Sequence, residues 1–129
     1  MKNNKLNLKV NAKDKTSGDE YRFSIDFYVF KQDGKFISYC PSVDLSSSGD
    51  NFNDAISAFY EAFQLYVETC VEMGTLQEDL IRHGWKVKKT GVTPPRFSSM
   101  LKKKEMKNLM ESEINYQRLV TPISIPAFQ

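Results

Sequence analysis

The sequence predicts an α+β fold: a three-stranded antiparallel sheet packed by one long helix, then a second short helix and a C-terminal extension of helix and edge strand. Three observations carry this. Tyr21, Phe23, Ile25, Phe27 and Val29 alternate with Arg22, Ser24 and Asp26, the period of a strand with one buried face. Asp33-Gly34 separates that run from a second apolar one, as a tight hairpin turn does. From Phe52 the period changes, and Phe52, Ile56, Phe59, Phe63, Tyr66, Val67 and Cys70 fall on one side of a helix.

Taken in order, Leu6, Leu8 and Val10 alternate as a short first strand, and the polar residues 13–20 read as a loop. Residues 21–30 form the strongest strand, and residues 36–40 return beside it until Pro41 stops them. Residues 42–48, with Val43 and Leu45, give a third strand before Gly49-Asp50. Asn51 suits the N-cap of the long helix, with Asp54 three residues on, and Gly74 suits its C-terminus. The apolar side of this helix is core. On its opposite side Asp54, Glu61, Glu68 and Glu72 fall in one line, with Ser57 and Gln64 beside them. Leu65 lies within that line, and an apolar residue ringed by carboxylates is a candidate anchor for a partner.

Thr75 is placed to cap a short helix over 76–82, Gly84 stops it, and residues 85–89 alternate as a strand. Gly91 and Pro94-Pro95 break the pattern. A third helix is expected from Ser98 or Ser99 to about residue 113, with Met106, Leu109 and Met110 apolar and Lys102, Lys103 and Lys104 exposed. Residues 119–129 are strand-like, and Pro122 and Pro126 confine that strand to a sheet edge. Residues 1–90 then make one domain and 91–129 an extension that is not an independent domain.

The chain has 129 residues, 40% apolar and 12% aromatic, which excludes disorder and suits one domain with a real core. No apolar run is long enough to cross a membrane, and charges scattered through the first ten residues do not make a signal peptide. Cys40 and Cys70 form no metal or redox motif and read as two reduced thiols, so a cytoplasmic protein is expected. A net charge of +2 hides segregation. Residues 36–81 hold eight acids and no Lys or Arg, whereas residues 82–107 hold nine basic residues and one acid, Glu105. An acidic centre attracts a basic partner.

Chemistry is sparse. His83 is the one histidine and has no ligand-spaced Cys or carboxylate cluster beside it. There is no nucleophile elbow, phosphate-cradling loop or Cys-x-x-Cys pair. Asp26, Asp44, Asp50 and Asp54 match no metal loop. No catalytic residue, metal or cofactor is expected, and the chain does not read as an enzyme.

Residues 34–55, from the hairpin Gly34 through Tyr39-Cys40-Pro41, Leu45 and Gly49-Asp50 to Asp54-Ala55, resemble the HicB antitoxin family in order and spacing. The long helix ending at Gly74 and Gly84-Trp85 continue the likeness, which covers residues 21–89. The resemblance implies a degraded ribonuclease-H-like fold without nuclease activity. It also implies a partner, a small basic mRNA-cleaving toxin of the HicA type, neutralised by protein–protein interaction. The candidate toxin-binding residues are Asp44, Asp50, Asp54, Glu61, Leu65, Glu68 and Glu72. Asn51 stands where the family usually has Thr. Residues 91–129 lack the helix-turn-helix or strand–helix–helix spacing through which many members bind operator DNA, so operator DNA is not an expected partner. The third strand and the tail each offer an edge for a homodimer or larger homo-oligomer. Two alternatives compete with the antitoxin reading. One is a nucleic-acid-binding regulator using residues 82–107, with Lys102, Lys103 and Lys104 touching phosphate. The other is a hydrolase that retains Asp26 among its carboxylates.

Overall fold

A computed structural model describes residues 8–9 and 20–128 of the chain, with side chains from Glu20 to Phe128. The sheet has five strands rather than three, in the order β1 (Leu8–Lys9), β7 (Tyr116–Pro126), β2 (Glu20–Gln32), β3 (Lys35–Cys40) and β4 (Leu45–Gly49). All neighbours are antiparallel except β1, which runs parallel to β7. Leu6 and Val10, expected on the first strand, lie outside the described residues.

The hairpin between β2 and β3 turns at Asp33 and Gly34, both with positive φ. Pro41 to Asp44 form a turn instead of the start of the third strand, with Asp44 left-handed at φ 52°, so β4 begins at Leu45. After β4 the chain enters α1 (Phe52–Met73). Gly49 is where they meet: a Cβ there would lie 2.6 Å from the amide nitrogen of Ala55. Glycine therefore lets the first turn of α1 sit directly on the sheet.

The alternate residues of β2 face α1, as their spacing predicts. Ile25, Phe27 and Val29 pack with Phe59, Phe63 and Val67 of the helix and with Leu119, Ile123 and Ile125 of β7. Phe27 stacks on Phe59 with ring centroids 4.1 Å apart. The core continues past the sheet into α2 (Leu76–Arg82), through Leu76, Leu80 and Trp85. The Trp85 indole donates to the Ser42 carbonyl at 2.7 Å, tying this end to the β3–β4 turn. Thr75 makes no side-chain cap; its carbonyl begins the helix by accepting from the Asp79 amide. Gly91, expected to break the pattern, opens β6 (Gly91–Thr93), which pairs with β5 (Lys86–Lys88) as a separate hairpin.

The expected third helix is two pieces, α3 (Phe97–Met100) and α4 (Lys104–Glu111). Met100 and Met106 are both buried. Six residues apart, they would point about 120° away from each other on a continuous helix, and the break at 101–103 lets both turn inward. Met106 and Leu109 cover Tyr28 and Tyr39 on the sheet face away from α1. The greatest departure is β7. It is not an edge strand but pairs with β2 without interruption from Glu20↔Pro126 to Phe30↔Tyr116. Pro122 and Pro126 are four residues apart, so their ring nitrogens lie on one side of the strand, and the ladder with β2 survives if that side faces away. Residues 91–129 thus supply the second strand of the main sheet, and a boundary at 90 cuts the β5–β6 hairpin.

Candidate functional site

The long helix carries the site because both its ends are fixed. At the start, the Asn51 side-chain oxygen accepts from the Asp54 amide at 2.8 Å. At the finish, Gly74 is left-handed at φ 68°, its amide bonds to Val71 and the Thr75 amide to Cys70, the paired pattern of a Schellman cap. With Ala55, Phe59, Phe63 and Val67 buried below, the opposite side must face solvent.

That side holds Asp54, Glu61, Leu65, Glu68 and Glu72 within an arc of about 60° at 100° per residue. Leu65 is 66% exposed. Glu61 and Glu72 are exposed and Glu68 half-buried, and α1 contains no Lys or Arg at all. Among the described residues, Glu61, Glu68 and Glu72 have no hydrogen-bond or ion-pair partner. Three unpaired carboxylates around an exposed leucine give a surface that attracts cations and offers an apolar contact at its centre.

The other two acids of the expected set are engaged within the fold. The Tyr39 hydroxyl donates to Asp44 at 3.0 Å, and Lys35 pairs with Asp50 at 2.5 Å. The Lys35 ammonium holds the Asp50 carboxyl below the usual carboxylate range. The family-motif positions have structural roles. Gly34 makes the hairpin turn, Tyr39 and Cys40 are buried in β3, and Pro41 enters the turn to Leu45. Gly49 and the fully buried Ala55 are the close approach of strand and helix.

Asp26, Asp44, Asp50 and Asp54 are not brought together. Asp26 accepts from Arg118 Nε at 2.9 Å across β2 and β7, and no group of three or more His, Cys, Asp or Glu that could hold a metal occurs among the described residues. Cys40 is fully buried, and burial pushes its thiol up to about 11. Both cysteines are free.

In the basic segment, Lys86, Lys88, Lys89, Arg96, Lys102, Lys104 and Lys107 are exposed. Lys102 and Lys103 lie in the turn before α4 rather than on a helix, and Lys103 donates to the Pro41 carbonyl. The expected run of three exposed lysines is therefore two. Arg22 of β2 and Lys88 of the hairpin line a shallow polar cleft with Thr90 and Thr93.

Sequence reasoning missed a polar cluster at the far end of α1. Asp79 is 9% exposed, accepts from Tyr66 and Arg82, and its carbonyl lies 2.8 Å from His83 Nδ1. The spacing of Asp79 to Arg82 and His83, three and four residues, was the available signal. The cluster fastens α2 to α1. No helix of the described residues is long and apolar enough to cross a membrane. Comparison with known proteins finds no family model, no curated protein and no solved structure that matches this chain.

Proposed function

We propose that this chain is an antitoxin-type binding protein of the HicB kind. In this reading it neutralises a small basic mRNA-cleaving toxin of the HicA type and catalyses no reaction of its own. The observation that carries the reading is the outer side of α1, where Glu61, Glu68 and Glu72 stand without cations around the exposed Leu65. An RNA-cleaving enzyme has to attract phosphate and is therefore basic. A row of carboxylates competes with RNA for that surface and speeds encounter, while Leu65 gives the contact that slows departure. Within the expected set, the free acids of α1 are better suited to this than Asp44 and Asp50, which already have partners. A degraded ribonuclease-H-like ancestry remains part of the proposal; it rests on the order of motifs from Gly34 to Ala55.

The test is purification of the tagged chain from its native cells, with stoichiometric partners identified by mass. A small basic protein is the expected companion. Glu61→Lys with Glu68→Lys should then slow association roughly tenfold or more at low salt. Recovery of the chain alone, or binding indifferent to both reversals, refutes the assignment of this face.

The exposed cations of residues 82–107 favour a second reading, a nucleic-acid-binding regulator. It requires duplex binding that weakens steeply with added salt. No binding at low salt eliminates it.

A further inference from the structure

We infer that α4 is a lid over an aromatic patch of the sheet, and that the uncovered patch takes a single strand of nucleic acid. The patch lies on the sheet face away from α1, so it does not rest on the antitoxin reading. Its ligand is a single strand, where the second reading requires a duplex.

The lid is weakly made. α4 has eight residues and no side-chain N-cap. Glu105 apart, its charges oppose its dipole, with Lys103 and Lys104 at the positive end and Glu111 at the negative end. Residues 101–103 before it form a turn and residues 112–115 after it have no regular structure, so both connections serve as hinges. Its apolar hold on the sheet is Met106 and Leu109, with Met110 and Ile114 partly buried beside them. The Tyr116 hydroxyl donates to the Met110 sulfur, a weak acceptor. Closure also leaves the Tyr28 hydroxyl without a partner among the described residues, and water satisfies it on opening. Opening α4 therefore needs far less free energy than unfolding the sheet.

Strand register gives what lies beneath. Tyr39, Tyr28 and Arg118 form one row across β3, β2 and β7, and Ile37, Phe30 and Tyr116 form the next. Tyr28 and Phe30 are two residues apart on one strand, about 7 Å. Rings at that interval on a rigid sheet are stacking surfaces for successive bases. Cations border them. Arg118 is more than half exposed and gives Nε to Asp26, keeping its terminal nitrogens for phosphate. Lys102, Lys104 and Lys107 are exposed on the lid or just before it. Of the nearby acids, Asp26 is paired with Arg118, Asp44 accepts from Tyr39, and Glu105 moves with the lid. Rings set among cations match a single strand, whose bases are free to stack; the bases of a duplex are not.

Fluorescence anisotropy of a labelled oligouridine of about ten nucleotides, with the whole chain at about 50 mM salt, tests this. Binding is expected, and a duplex of equal length should bind more weakly. Met106→Asp should unseat the lid and tighten binding about tenfold. Tyr116→Ala, at an exposed position, should weaken it about tenfold. Amide exchange of the wild type gives a reading that does not need the Met106 variant to fold. Residues 104–111 should exchange much faster than β2, and slow when the oligonucleotide is added. α4 amides as protected as those of β2 overturn the lid. No binding of the single strand, a folded Met106→Asp that binds no better than wild type, or binding indifferent to Tyr116→Ala overturns the site. A duplex bound as tightly as the single strand also overturns it, and leaves the second reading standing.

Discussion

The two faces of the sheet are covered by helices of very different reach. On one, α1 runs 22 residues and buries Ala55, Phe59, Phe63 and Val67 against three strands and the Trp85 end of the molecule. On the other, α4 runs eight residues and covers little beyond Tyr28 and Tyr39, through Met106 and Leu109. The first face is apolar apart from the buried Ser38 and Thr121, and the second is built on tyrosines; each face holds one buried hydroxyl without a hydrogen-bond partner among the described residues, Ser38 on the first and Tyr28 on the second. Stability therefore resides in the α1 face, and the α4 face is the one that tolerates loss.

The sharpest way to break this contrast is Phe59→Ala. It removes a fully buried ring stacked on Phe27 and should cost about 4 kcal/mol in urea unfolding. A loss under about 1 kcal/mol would mean the face repacks freely. Gly49→Ala comes next. Its methyl would meet the backbone of Asp54 and Ala55, so the first turn of α1 must lift, at about 3 kcal/mol. An unchanged unfolding midpoint would show that the approach is not tight. Met106→Ala opens only the smaller cluster and should cost about 2 kcal/mol. A cost equal to that of Phe59→Ala would erase the difference between the faces.

A fourth effect is alkaline. Burial, then the nearby Asp26 charge, pushes the Tyr28 hydroxyl up to about 12, and burial pushes the Cys40 thiol up to about 11. Each favours the neutral group in the folded state. Their contribution is complete below the unfolded values, about 9 and 10, and is lost as pH rises through about 11 and 12. Unfolding midpoints should hold to about pH 9 and fall progressively to pH 12, and Cys40 should resist thiol reagents at pH 8. A midpoint unchanged between pH 9 and 12 would contradict both.

Much of the α1 face was legible in the sequence because its determinants are local. Asn51, Gly74 and the apolar stripe between them define the helix within a few turns, and Asp33-Gly34 defines the hairpin. The acidic outer line follows from the same periodicity, as does the exposure of Leu65. The α4 face was legible only in part: Met106, Leu109 and Met110 were expected on the apolar side of a helix and do cover the sheet, but the break before them was not. Met100 and Met106 face inward only because the helix breaks between them, and nothing nearby in sequence announces that. Nor does proline content reveal which side of a strand is paired, so β7 was read as an edge. The spacing of Pro122 and Pro126, both even-numbered, was the clue that one side of the strand remained able to pair.

The pairing of β2 with β7 also sets a timetable. Tyr21 meets Ile125, so β2 leaves the ribosome roughly a hundred residues ahead of its partner. At about 5–20 residues per second it spends on the order of 5–20 s with one side bare, held only by β3 and whatever of α1 has formed. Contacts so distant along the chain make folding slow. In that interval Ile25, Phe27 and Val29 lack the cover of Leu119, Ile123 and Ile125, and the nascent chain is at its most exposed to aggregation and to chaperones.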